Sequence, residues 1–155
     1  MPLSDRAAII EFVEQAYFGS VRRRDIPAVM ACFDSAAEVL IRHGDNPVRN
    51  FAVAPVSGSD NLQEFYAHLC GNYDAWFGDF THVVDTGVAR SACYFTVRLT
   101  PRPDGDYADA GVQTLRNCNF FQYADNRIHH MIIYYANAES EGGAPTGYPG
   151  ERQSL

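Results

Sequence analysis

Apolar positions along the chain change period several times, and each change predicts an element. Ile9, Phe12, Val13, Ala16 and Tyr17 recur at the spacing of one helix face, after Ser4 as N-cap and running to Gly19 or beyond. Asp25 opens a second, short helix, with Pro27 in its first turn and Val29, Met30 and Phe33 as its apolar side. Ala37 to His43 reads as a strand. Asn46 to Ser59 holds two prolines and Gly58 and predicts a loop, with room for a short strand at Phe51 to Val56. Ser59 and Asp60 cap a third helix, Gln63 standing three residues beyond Asp60 as in a capping box. Its stripe is Leu62, Phe65, Tyr66, Leu69, Tyr73 and Trp76, and Gly78 ends it.

From Asp79 the pattern predicts strands at 80–90, 92–101, 110–123 and 127–137, with a turn at Pro101 to Gly105. The last two strands meet at a tight turn, Ala124-Asp125-Asn126, and are apolar on both faces. Such a sheet must be covered on both sides. Period two puts Asn119 in phase with Asn117, Phe121 and Tyr123, and His129 in phase with Met131, Ile133 and Tyr135. The opposite face carries Cys118, Phe120, Gln122, Ile132 and Tyr134, too apolar to stay exposed, which predicts a homodimer through the sheet. Ala138 to Leu155 has little periodicity, so residues 1–137 read as one domain and 138–155 as a C-terminal tail. Helices gathered on one side of a mostly antiparallel sheet make an α+β fold. The long strands curve around three N-terminal helices into a cone-shaped barrel with a pocket at its open end.

Composition narrows the chemistry. A net charge of −7 argues against a nucleic-acid partner, and the basic run Arg22-Arg23-Arg24 reads as a solvated helix end favoured by the dipole. All 12 basic residues are arginine, which excludes Schiff-base chemistry, a pyridoxal aldimine and a P-loop, each of which needs a lysine amine. Cys32, Cys70, Cys93 and Cys118 form no CxxC pair and read as reduced core residues. No apolar run approaches a membrane span and no signal-peptide pattern is visible, so the expectation is a cytoplasmic protein without a membrane partner.

The order of elements and several local motifs resemble the NTF2-like superfamily, which holds ketosteroid isomerases, SnoaL-like polyketide cyclases and scytalone dehydratases. The pieces are Tyr17 in the opening helix, Arg24-Asp25-Ile26-Pro27 with Phe33, and Ser57-Gly58 before the third helix. Phe80-Thr81-His82 and Asn119-Phe120-Phe121-Gln122-Tyr123 followed by Arg127-Ile128 complete the set. The resemblance spans roughly residues 4–137 and implies the cone-shaped fold. It also implies an oxyanion role for Tyr17 and places Asn119 where isomerases carry a protonated aspartic acid. Their aspartate base falls on Ile41, which takes no proton. His82 resembles the strand histidine of SnoaL-like and dehydratase-like proteins, but the dehydratase's partner aspartate has no counterpart, since Arg22 stands about there.

Each candidate has a plain alternative. His82 is either an acid/base at a pocket wall or a strand histidine bonded to a carbonyl. Tyr17 either donates to a substrate oxygen or is a core tyrosine. Asn119 either polarises a carbonyl or makes a structural hydrogen bond. His43 shares a face with Ile41 and either replaces the missing base or faces water. Asp85, three residues after His82, points to the opposite face, and no HxH or HExxH spacing supports a metal site. The expectation is a pocket for a small apolar, oxygenated molecule, isomerised, dehydrated or cyclised without cofactor. His82, Tyr17 and Asn119 would be the catalytic residues, and Phe12, Ile41, His43, Phe121, His129, Met131, Ile133 and Tyr135 the lining. The alternative is a non-catalytic ligand-binding or dimerisation domain of the same fold.

Overall fold

The computed structural model describes residues 3–137; the tail expected at 138–155 lies outside the described residues. The opening helix is one rod in three parts: α1 (Arg6–Glu11), a π-helical stretch (Phe12–Phe18) and α2 (Gly19–Arg23). Its cap is Asp5, not Ser4: the Asp5 carboxylate accepts from the Ala8 backbone N–H, satisfying one of the first-turn donors. Arg24 turns the chain in the left-handed region (φ 59°), and Asp25 caps α3 (Ile26–Ala31) by accepting from the Ala28 N–H. Three strands follow: β1 (Phe33–His43), β2 (Arg49–Ala52) and the two-residue β3 (Asp60–Asn61).

The third helix, α4 (Leu62–Asn72), is capped by Asn61, whose side chain accepts from the Glu64 N–H. It stops six residues before Gly78. Tyr73 and Trp76, expected on its stripe, belong to β4 (Tyr73–Asp85). Asn72 makes the break: its Nδ2 donates to the His68 carbonyl and its Oδ1 accepts from the Asp106 N–H, tying the helix end to the loop after β5. Tyr73, Ala75 and Phe77 then fit a period of two, where Tyr73 and Trp76 had fitted a helical spacing, and aromatics favour strands. The remaining strands are β5 (Arg90–Pro101), β6 (Gln113–Ala124) and β7 (Arg127–Asn137). A two-residue turn joins the last two, with Asp125 (φ 49°) and Asn126 (φ 61°) both left-handed, a conformation these residue types tolerate.

The seven strands form one curved sheet in the order β3-β2-β1-β7-β6-β5-β4, antiparallel except for the β1–β7 and β2–β3 pairs. Its concave face wraps the helices. The core between them includes Val13, Tyr17, Val39, Phe95, Leu115, Phe121 and Met131, all buried. Two irregularities decide which side chains face inward. In β4 the register shifts between Gly78 and Thr81, with Asp79 left-handed (φ 55°). Before the shift Tyr73, Ala75 and Phe77 face the core; after it Phe80, His82 and Val84 do. In the last hairpin Gln122 pairs with His130 but Tyr123 pairs with Ile128, so His129 is the extra residue of a bulge.

Candidate functional site

Across the concave face, register builds a single row: His82 opposite Cys93, Cys93 opposite Asn119, Asn119 opposite Ile133, and Ile133 beside Ile41. Strand spacing puts the His82 and Asn119 backbones roughly 10 Å apart. Cys93 lies between them, its thiol pushed up by burial, so it stays protonated. The side chain of His82 is only 6% exposed, and its Nε2 lies 2.7 Å from Oε1 of Glu14 in the π-helical stretch. Nδ1 of His82 is buried with no hydrogen-bond partner among the described residues, and so is Oδ1 of Asn119. Among the described residues the Asn119 amide nitrogen reaches only the Met131 sulfur, at 3.8 Å.

Glu14 is thus the companion that His82 lacked in the sequence. The rod brings it to the histidine from 68 residues away, and Arg22 lies on the rod two turns further on. No spacing in the chain signals this pair; only the packing of the rod on β4 makes it. A carboxylate on one ring nitrogen holds the proton there and leaves the other as a basic lone pair, the arrangement of a general base. Glu14 keeps 31% of its side chain exposed, so the pair connects the interior with the surface.

Tyr17 lies deep in the core. Its hydroxyl lies 2.6 Å from that of Tyr66, both buried. Its ring packs edge-on against Phe33 and Phe121, with centroids at 5.8 and 5.9 Å. Burial pushes its pKa well above the usual tyrosine value, so the hydroxyl remains a neutral donor. Tyr123 makes a similar pair with the Ser91 hydroxyl at 2.7 Å, and Phe12 packs edge-on against the Tyr123 ring.

The other lining candidates divide. Ile41, Phe121, Met131, Ile133 and Tyr135 are buried on the concave face. His43 shares that face at the far side of the sheet, four strand steps from β4, where it stacks on Tyr135 and bonds Asn46. His129 does not line the interior: the bulge turns it out, and its Nδ1 meets Asp34 at 2.6 Å on the surface. Asp85 pairs in register with Arg90 on the convex face, away from His82. Among the described residues no three His, Cys, Asp or Glu side chains come together as a metal site, and no helix is long and apolar enough to cross a membrane.

No family model and no curated relative matches this sequence. Solved structures do. A protein of unknown function with a cystatin-like fold from Methylobium petroleophilum PM1 is similar at TM-score 0.63 and 18% identity, over 93% of this chain and 86% of its own. The epoxide hydrolase/cyclase-like enzyme SalBIII, of pyran ring formation in the polyether salinomycin, is similar at TM-score 0.62 and 14% identity, over 86% and 94%. A candidate polyketide cyclase from Pseudomonas putida KT2440 is similar at TM-score 0.59 and 19% identity, over 79% and 88%. At these identities the likeness is one of fold, and the fold of this chain is the cone-like α+β architecture of the SnoaL-like, NTF2-like proteins.

Proposed function

We propose that the protein is a SnoaL-like acid/base enzyme acting on an apolar, oxygenated small molecule, by isomerisation, dehydration or cyclisation without a cofactor. The observation that carries this is the 2.7 Å contact between Glu14 and His82. A buried imidazole held by a carboxylate, with its second nitrogen unpaired, suits the removal and return of a proton. Glu14 meets substrate from the surface side, takes its proton and returns it, and His82 holds that carboxylate at 2.7 Å through the exchange. The Asn119 amide, in the same row as His82, donates to an oxyanion without needing a shifted pKa. Tyr17 polarises the substrate oxygen in this reading, since a hydroxyl that accepts from Tyr66 keeps its own proton to donate. The similar enzymes of cyclase and epoxide hydrolase/cyclase type support the reaction class by analogy of fold. With the true substrate, His82→Ala lowers turnover at least about 100-fold, the lower range for a general acid or base. An unchanged rate refutes the assignment.

A second reading, a non-catalytic binding domain, draws on Ile41. It lies in the same row as His82 and Asn119 and leaves that position without an acid or base. Thermal-shift screening with steroid-like and polyketide-like compounds separates the two: binding without turnover favours the second.

We also propose that the convex face pairs two copies of the chain. Val83, Tyr94, Phe120 and Tyr134 are exposed there, and the Phe120 and Tyr134 rings meet edge-on. Such a self-complementary apolar patch suits a two-fold pairing of like surfaces.

A further inference from the structure

Between the rod and the β4 irregularity lies a surface crevice of about 580 Å³. Phe18, Phe77 and Phe80 line it, Glu14 and Gln15 stand at one end, and Arg22 and Arg23 at the other. The aromatic rings form one cluster: Phe18 packs on Phe77 at 4.7 Å and on Phe80 at 5.4 Å. Glu14, Phe18 and Arg22 follow at intervals of four along the rod. At the usual helical rise, Glu14 and Arg22 are roughly 12 Å apart.

The three consecutive arginines are not equivalent. Arg24 lies 3.7 Å from the Asp74 carboxylate, turned away from the crevice. Among the described residues Arg23 donates only to a neutral group, the Ser20 hydroxyl, at 3.1 Å. Arg22 is exposed and has no acidic partner among the described residues. Two guanidinium groups with no acidic partner among the described residues therefore stand at one end of the crevice, opposite the Glu14 end, in a chain of net charge −7. Guanidinium forks match carboxylates in geometry. Gly19 keeps the wall between them open, since a Cβ there would come within 3.1 Å of Arg23 Nη1.

We propose that this crevice binds an aromatic carboxylate. The carboxylate sits on Arg22 and Arg23, and the rings lie on the half-buried Phe77 and Phe80, with Phe18 packed behind them. The end remote from the charge reaches Glu14, and so the Glu14–His82 pair. The inference deepens the acid/base reading by naming a substrate class for the same site. Binding alone tests it, so failure of the pair as a catalyst leaves the result untouched.

The experiment is calorimetric titration of the full chain with 2-naphthoate and with its neutral counterpart 2-naphthamide. The acid binds at least tenfold tighter than the amide, and the preference shrinks in 0.5 M salt because the arginines are exposed. The double variant Arg22→Gln/Arg23→Gln removes the preference and leaves amide binding unchanged. Arg24→Gln, outside the crevice, keeps it. Thermal melts of each variant at the wild-type midpoint show that the fold is intact. Equal affinity for acid and amide, a preference that survives the double variant, or no heat from either compound at millimolar concentration overturns the proposal.

Discussion

Removing Glu14 tests the site without knowledge of any substrate. His82 is almost wholly enclosed, and Glu14 is its only hydrogen-bond partner among the described residues. Glu14→Ala leaves Nε2 as unsatisfied as Nδ1 already is. A hydrogen bond to a charged group contributes about 1.5–3 kcal/mol, and a buried group left unpaired costs about 1–3 kcal/mol. Water reaches the carboxylate, which draws the figure to the lower end, so about 1–2 kcal/mol is expected. His82→Phe removes the other partner and fills the same space against Phe80, whose ring stacks on the imidazole at 5.6 Å. In that background Glu14→Ala costs little, because a half-exposed carboxylate with no imidazole simply hydrates. The double-mutant cycle therefore gives a coupling of about 1–2 kcal/mol. Urea denaturation at pH 7 reads it directly; in thermal melts each kcal/mol moves the midpoint by about 2–4 °C in a chain of this size. A coupling below about 0.5 kcal/mol refutes the claim that the pair is a built feature of the interior, and the proton-transfer reading falls with it.

Further tests follow from the packing. Tyr17→Phe and Tyr66→Phe each remove the 2.6 Å hydroxyl pair and cost about 1 kcal/mol, whereas the double variant costs less than the sum, as urea midpoints would show. Burial pushes the Cys32 and Cys70 thiols up to about 11. Above the ordinary thiol range the unfolded chain gives up these protons while the folded chain keeps them, so stability falls as pH rises from about 9 to 11. Cys32→Ala flattens that alkaline slope by at most about 1.4 kcal/mol per pH unit, and a slope unchanged in the variant refutes the account. Phe120→Asp with Tyr134→Asp converts a sedimenting dimer to a monomer at micromolar concentration; a wild type that already sediments as a monomer refutes pairing through the convex face.

Much of the fold was legible along the chain because it rests on local chemistry. Asp25 caps a helix wherever Ile26 to Ala31 coils, and Asp125-Asn126 turns a hairpin because both residues accept positive φ. The alternation through Phe121 and Leu115 set the inner face of β6 and, with it, the place of Asn119. Where two periods overlapped, the sequence misled: Tyr73 and Trp76 fit a helix stripe while Tyr73, Ala75 and Phe77 fit a strand face, and the Asn72 contacts with His68 and Asp106 ended the helix.

The site was decided elsewhere. His82 faces inward because the β4 register slips by a residue at Asp79, and His129 faces outward because the hairpin bulges at that position. A one-residue slip moves every later side chain to the other face of a sheet, and alternation alone does not announce it. Glu14 reached His82 across 68 residues through the packing of one helix on one strand. The residue types needed for acid/base chemistry were written in the sequence; which of them meet is a property of the closed cone, because contact between distant residues is set by the shared burial of everything between them.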